Sequence, residues 1–452
     1  MSRCARWRQP SDPRWRKARF DGPSSERRNP PVNAAMDRRA TAFNLFQLLQ
    51  TQSEHELLLE RLTAPEWEDL LQVAREMELA PLLYYRLCGA NEQHRLPDAT
   101  LASLRQLSAA AAAETMRRLG FASRILSTLR EKGIEVIVLK GLYLTEQIYP
   151  AVGLRSFDDF DLLLKPADMP TALASLQALG YTLFTWYDPK MPDRDVAHIP
   201  PLQQPGYPTV ELHRTILGEE EPFSIDPAGL WQRAVAARVA EVEVAALSPE
   251  DLLLHLCLHL TYQHRLVRGV RGLYDLAAVL QRRGGEIDWR QLEESARQWG
   301  VQRVVWLTLR LMQRVTGEEV PQEVLRSLQP EPEPLEVEEQ ALRQLIGEER
   351  SRINLTPDLA ALAQAQGWRG RLRLVAERVF LPRQRLGREY NVNPRSLKIY
   401  CYYPRRAWDL YRQYHRTAWN LLRGRREEQE ATRREEERAR LHQWLAGSGR
   451  GW

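Results

Sequence analysis

Residues 153–164 read Gly-Leu-Arg-Ser-Phe-Asp-Asp-Phe-Asp-Leu-Leu-Leu, so three aspartates crowd the head of an apolar run. Side chains alternate along a strand, which puts Asp159 and Asp161 on one face and Phe160 and Leu162 on the other. Two carboxylates held side by side repel each other unless a cation sits between them. Mg²⁺, a hard ion that takes oxygen ligands and keeps several waters, is the usual cation for such a pair. An isolated Asp-x-Asp is equally what a solvated strand end looks like. The neighbours decide between the two.

Upstream, Ile134-Glu-Val-Ile-Val-Leu-Lys140-Gly141 is a short β-branched run that ends in a sharp turn. A helix-like segment, Leu142 to Tyr149, follows and stops at Pro150. Downstream, Tyr207-Pro-Thr-Val-Glu211-Leu-His213-Arg214 alternates again and sets Glu211 and His213 on one strand face. Nucleotidyl transfer needs an oxygen nucleophile in line with a phosphorus whose charge is neutralised. Two cations held by three carboxylates meet both needs. Backbone N–H groups after Gly141, at a helix start, suit a triphosphate. Lys140 and Arg155 offer cations for the same phosphates, Arg155 in bidentate fashion; a solvated strand end is the competing reading for Lys140. His213 either contacts phosphate or is tied to Glu211 or backbone. His198, in a Pro-rich loop, ranks below it.

The order strand, Gly turn, helix, Asp-x-Asp strand, acidic strand resembles the nucleotidyltransferase superfamily. It is most similar to a bacterial branch labelled an uncharacterised nucleotidyltransferase family. Val138-Leu-Lys-Gly141, Leu154-Arg-Ser-Phe-Asp-Asp-Phe-Asp-Leu-Leu163, Leu176-Gln-Ala-Leu-Gly-Tyr181, His198-Ile-Pro-Pro-Leu202 and Val210-Glu-Leu-His213 carry the resemblance, which spans roughly residues 40–317. It implies an α+β fold, a mixed sheet flanked by helices. It also implies a two-metal Mg²⁺ site on Asp159, Asp161 and Glu211; the residues themselves point to nucleotide contacts from Lys140, Gly141, Arg155, Ser156 and His213. The broader superfamily prefers Gly-Ser at the first turn, where this chain has Lys140-Gly141-Leu142.

The elements that must position these residues follow from composition and period. At 452 residues, two or three modules are expected. An apolar share of 43 % supports a sizeable core. Cys4, Cys88, Cys257 and Cys401 lie far apart, against zinc and disulfide frameworks and in keeping with a cytoplasmic setting. No apolar run reaches the roughly 18 residues needed to span a bilayer. The net charge of +5 is modest and by itself selects no partner.

Residues 1–35, rich in Arg, Pro and Ser, read as disordered, as an over-extended start ahead of Met36, or as organellar targeting. Residues 36–132 are helical in pattern, with Pro65 in a first turn and an alanine-rich helix over 98–132. Residues 133–247 form the catalytic core, with a helix capped by Asp168 between two strands. Residues 248–328 form a helical domain opened by the Ser248–Asp251 capping box. There His255 and His259, four apart, read as a packed helix face, as a metal pair lacking a third ligand, or, His259 with Asp275, as contacts to base or acceptor. Asp288 is a further acid on this stretch.

Residues 329–395 hold a Pro-Glu linker and helical segments. Residues 396–452 hold a helix whose Trp408, Tyr411, His415, Trp419 and Leu422 share a stripe flanked by arginines, then an Arg/Glu helix expected in solvent. Packing of the stripe on the body is the favoured reading, ahead of an anionic membrane surface or RNA.

The function expected is transfer of a nucleoside monophosphate from an NTP to an acceptor: a small molecule, a sugar, a tRNA end or a protein. A catalytically silent scaffold of the same fold is the second reading, and nucleic-acid binding the third.

Overall fold

Apolar residues recurring every three to four positions govern the first hundred described residues. The computed structural model describes residues 38–50, 55–184, 197–218, 221–267, 269–331, 335–347, 367–390, 392–422 and 426–447. Residues 1–35 and Pro332 to Pro334 of the Pro-Glu run lie outside them. Four helices come first: α1 (Arg38–Leu49), α2 (His55–Arg61), α3 (Ala64–Glu76) and α4 (Ala80–Gly89). At the start of α3, Thr63 and Glu66 form a reciprocal capping box, and Pro65 fills the first turn. Helix α5 (Asp98–Glu131) has 34 residues, about 51 Å at 1.5 Å per residue. It buries Ala122, Ile125, Leu126 and Leu129, an i, i+3, i+4, i+7 stripe.

The sheet follows. Strand β1 (Ile137–Val138) leads into α6 (Lys140–Tyr143) and a wider π turn over Leu144–Ile148. Next come β2 (Asp159–Leu163), α7 (Met169–Ala178), β3 (Thr182–Leu183), β4 (Leu202–Gln203), β5 (Thr209–His213), α8 (Pro227–Gln232), β6 (Val235–Val239) and β7 (Val242–Ala246). The strands make one mixed sheet in the order β3-β4-β5-β2-β1-β7-β6. The class is α+β, as expected. Strand β2 is interior, antiparallel to β1 and parallel to β5. Phe160, Leu162, Val210 and Leu212 are buried. Asp168 stands at the N-cap of α7, but its side chain makes no capping hydrogen bond.

Helix α9 (Pro249–Cys257) starts where Ser248 Oγ accepts the Asp251 N–H at 3.2 Å, and runs into a π turn over Leu258–Gln263. Then come α10 (Arg271–Arg283), α11 (Trp289–Trp299), α12 (Gln302–Thr316), α13 (Gln322–Leu328) and α14 (Leu335–Ile346). Asp288 is spent as the N-cap of α11, accepting the Gln291 N–H. The regions read apart in sequence belong to one compact unit, Asp37–Trp452.

The last helices are α15 (Gly367–Val379), α16 (Arg383–Tyr390), α17 (Tyr402–Leu422) and α18 (Arg426–Leu445). Two expectations are corrected here. Trp408 and Tyr411 do not pack on the body; each is 59 % exposed, and their rings stack on one another at 5.7 Å. The face of α17 that packs carries Tyr403, which donates to the Leu381 carbonyl, and Arg406, which donates to the Arg378 carbonyl. The side chains of His415, Trp419 and Leu422 lie outside the described residues. Nor is α18 wholly solvated. Arg433 and Glu437 make the i,i+4 pair expected of it, yet Leu441, Trp444 and Leu445 are buried. Arg303 donates to the Trp444 carbonyl at 2.9 Å and its guanidinium lies over the indole. The stretch after Arg440 turns apolar, and that end docks.

His442 of α18 stacks on Tyr262 at 4.3 Å. Burial, with Arg265 nearby, holds its pKa down at about 4, from an ordinary 6.5. The unfolded ring takes up its proton first on acidification. Docking is therefore fully supported above pH 6.5 and weakens as pH falls toward 4. His442→Phe keeps the stacking and loses the proton. The fall in thermal midpoint between pH 7 and pH 5 is expected to be smaller in this variant than in the parent, measured by calorimetry.

Candidate active site

The turn after β1 is where the backbone departs most from ordinary geometry. Lys140 has φ of +46°, the left-handed region that non-glycine residues seldom enter and that clusters at functional sites. The Leu139 N–H donates to the Asp161 carbonyl at 3.0 Å, pinning this strand end beside β2. From there Lys140 Nζ reaches Asp161 Oδ1 at 2.9 Å, with both side chains largely buried. Gly141 follows because nothing larger fits. A Cβ at that position would lie 2.5 Å from Arg155 Nη1 and 2.7 Å from Phe157 Cβ.

Strand pairing supplies the other half. Asp161 stands opposite Glu211, and Leu163 opposite His213, across the parallel β2–β5 pair. His213 Nε2 donates to the same Asp161 oxygen at 2.9 Å and lies 3.6 Å from Glu211 Oε2. His198 pairs with His213 through an isolated β-bridge, and its Nε2 is 3.8 Å from Glu211. Asp161, Glu211 and His213 each offer a ligand atom within 4.8 Å of the others, the one such group among the described residues.

The charges are tuned together. Burial pushes the Asp161 carboxyl up, but the Lys140 ammonium and the His213 hydrogen bond outweigh it and hold the group well below the usual carboxylate range. Burial likewise raises Glu211; the His213 hydrogen bond prevails and lowers it. For His213, burial acts downward, and the hydrogen bonds to Asp161 and Glu211 carry the net shift upward. His198 is lowered by burial and by His213. Asp161 and Glu211 are thus both favoured as carboxylates, offset by Lys140 and His213.

A family model described as "Uncharacterised nucleotidyltransferase" matches residues 63–317. The chain belongs to that family. Comparison with curated proteins and with solved structures gave no match. The match covers every strand of the sheet and helices α3 to α12 of this nucleotidyltransferase-family chain.

The remaining expected residues are placed as follows. Asp159 lies two residues before Asp161 on β2, beside the Arg155 charge and outside the three-residue group. Asp158 is exposed and pairs with Arg118. Arg155, expected at phosphates, is clamped to Asp275, with Nη2–Oδ2 3.1 Å and Nε–Oδ1 3.3 Å. Tyr149 donates to the same Asp275 at 2.9 Å. Asp275 thereby holds the Asp-bearing loop onto α10 instead of facing a ligand. Ser156 Oγ sits with Arg271 and Glu78 at the exposed rim. His255 and His259 stack at 6.0 Å between ring centroids and belong to no three-ligand metal group among the described residues.

Sequence reasoning read His255 as part of a packed helix face or a metal pair and did not place it near Lys140 and Asp161. His255 is 1 % exposed, neither ring nitrogen has a hydrogen-bond partner, and burial with the Lys140 charge lowers its pKa to about 3. It is a neutral imidazole under the site. Its apolar helical setting gave no signal of this.

Because Asp275 locks Arg155, the guanidinium has no room to retract from a new methyl group at position 141. Gly141→Ala is expected to cost about 1–3 kcal/mol, the usual range for overpacking. A lower urea midpoint at unchanged slope is the measurement that checks it.

Proposed function

We propose that this protein is a Mg²⁺-dependent nucleotidyltransferase that moves a nucleoside monophosphate from an NTP to an acceptor hydroxyl or phosphate in the cytoplasm. The observation that carries the reading is the register of Asp161 opposite Glu211, with His213 closing a group of ligand atoms within 4.8 Å. Membership of the nucleotidyltransferase family supports it independently.

The donor set fits a divalent cation. Asp161 and Glu211 contribute the hard oxygens that Mg²⁺ takes, and Asp159 adds another carboxylate on the same strand. His213 joins as a nitrogen ligand only when neutral, a donor type that suits Mn²⁺ or Zn²⁺ better than Mg²⁺. A bound cation supplies charge neutralisation at the phosphates and lowers the pKa of the acceptor hydroxyl.

The chain's own residues do the rest. Lys140 now neutralises Asp161; once that carboxylate has another counter-charge, its ammonium is free to meet a phosphate oxygen. His213, whose pKa its two carboxylate neighbours raise, donates through Nε2 to Asp161 beside the site. Arg155 positions the Asp-bearing loop and does not itself bind phosphate.

One observation favours the silent-scaffold reading. Asp161 Oδ1 already accepts from both Lys140 and His213, so the site is electrically satisfied without a ligand. Labelled NTPs separate the two. Incubation of the protein with each α-labelled NTP, Mg²⁺ and a cell extract is expected to label an acceptor with one of them; no label from any NTP favours the scaffold.

Glu211→Gln keeps the shape of a half-buried side chain and removes its charge. Turnover is expected to fall at least ~10²-fold while nucleotide affinity changes little, the mark of an interaction made mainly in the transition state. Single-turnover rates beside calorimetric Kd values check this. Asp161→Asn is a poorer probe, because it strands the buried Lys140 and His213.

A further inference from the structure

Half of the large apolar side chains exposed among the described residues fall between positions 375 and 411: Val375, Phe380, Leu397, Tyr400, Trp408 and Tyr411. This segment of helices α15, α16 and α17 also concentrates charge. Residues 367–412 hold twelve Arg and Lys against three Asp and Glu, while the whole chain nets only +5, so the remainder is net negative. The three acids are already engaged within the segment: Glu377 with Arg373, Glu389 with Arg406, and Asp409 with Arg405 and Tyr390. Arg383, Arg385, Arg395, Lys398 and Arg405 are exposed.

Cations and rings are interleaved. Arg383 lies over the Tyr400 ring at 5.0 Å, and Arg405 over Tyr390 and Tyr402 at 5.8 and 5.9 Å. Leu397, 83 % exposed, sits between Arg395 and Lys398, both also exposed. Trp and Tyr with apolar bodies and polar tips, flanked by Arg and Lys, are the side chains that settle at the boundary of headgroups and acyl chains. Among the described residues no helix is long and apolar enough to cross a membrane, so such a segment lies along the surface.

We propose that this segment is a peripheral docking surface for an anionic lipid bilayer. The aliphatic members choose lipid over nucleic acid. Bases stack on aromatic rings, but Val375 and Leu397 offer no stacking face, whereas acyl chains accept aromatic and aliphatic groups alike. Exposed apolar side chains gathered on one segment are a mark of interaction sites. The excess of Arg and Lys selects an acidic headgroup layer over a neutral one.

Co-sedimentation of the full chain with vesicles tests this. Phosphatidylcholine vesicles containing phosphatidylserine are expected to carry the protein down, plain phosphatidylcholine much less, and added salt is expected to weaken the association. Arg395→Glu with Lys398→Glu, and separately Trp408→Ala with Tyr411→Ala, are each expected to weaken binding about tenfold or more at unchanged thermal midpoint. Leu397→Ser, altering the most exposed of these side chains, is expected to act in the same direction. The proposal is overturned by failure to sediment with the anionic vesicles, by equal binding to neutral ones, or by indifference of all these variants. Tight binding of a single-stranded oligouridylate without vesicle affinity overturns it too and assigns the surface to RNA.

Discussion

A single buried carboxylate sets the terms for the active-site half of the molecule. Asp161 is 3 % exposed in an interior strand, where an uncompensated charge is costly. Its compensation comes from both flanking strands: Lys140 from the end of β1 and His213 from β5. For Lys140 to reach it, the backbone takes a left-handed turn. For that turn to close, the next residue lacks a side chain. Gly141 in turn lies against Arg155, which Asp275 holds in place. Each step is a local oddity in isolation, and together they are consequences of one desolvated charge.

The helices serve that arrangement from outside the sheet. The loop before β2 is held by Tyr149 and Arg155 on Asp275 of α10. Between them, Gly153, with φ of +90°, rests against α5. A Cβ there would meet the backbone of Ala112 at 2.6 Å, so a glycine and an alanine run are needed in the same place. The alanines favour helix in α5, and their small size also lets the aspartate loop approach.

The C-terminal helices obey a different constraint. They have their own small packed interior, with Leu386 and Ile399 fully buried, and Tyr403 and Arg406 hydrogen-bonded to carbonyls at helix ends. That interior uses one side of α17 and leaves Trp408 and Tyr411 outside. A stripe of aromatic residues at helical spacing normally signals a core-facing side. Here the other side packs, through hydrogen bonds that hydrophobic patterning does not register.

The amino-acid sequence determined the Asp-x-Asp strand, the Gly turn, the facing of Glu211 and His213, the long alanine-rich helix, the first-turn Pro65 and the cap at Ser248. These depend on periods of two and 3.6 residues and on local turn chemistry, which act within a few neighbours. Tertiary structure alone decided that Arg155 and Asp275, 120 positions apart, neutralise each other. It also decided that His198 bridges to His213, that His255 lies beneath the site, and which side of α17 meets the body. Those outcomes depend on which strands pair and which helices meet. A charge has no preferred partner until the fold brings one near, and only then does burial make the pairing obligatory.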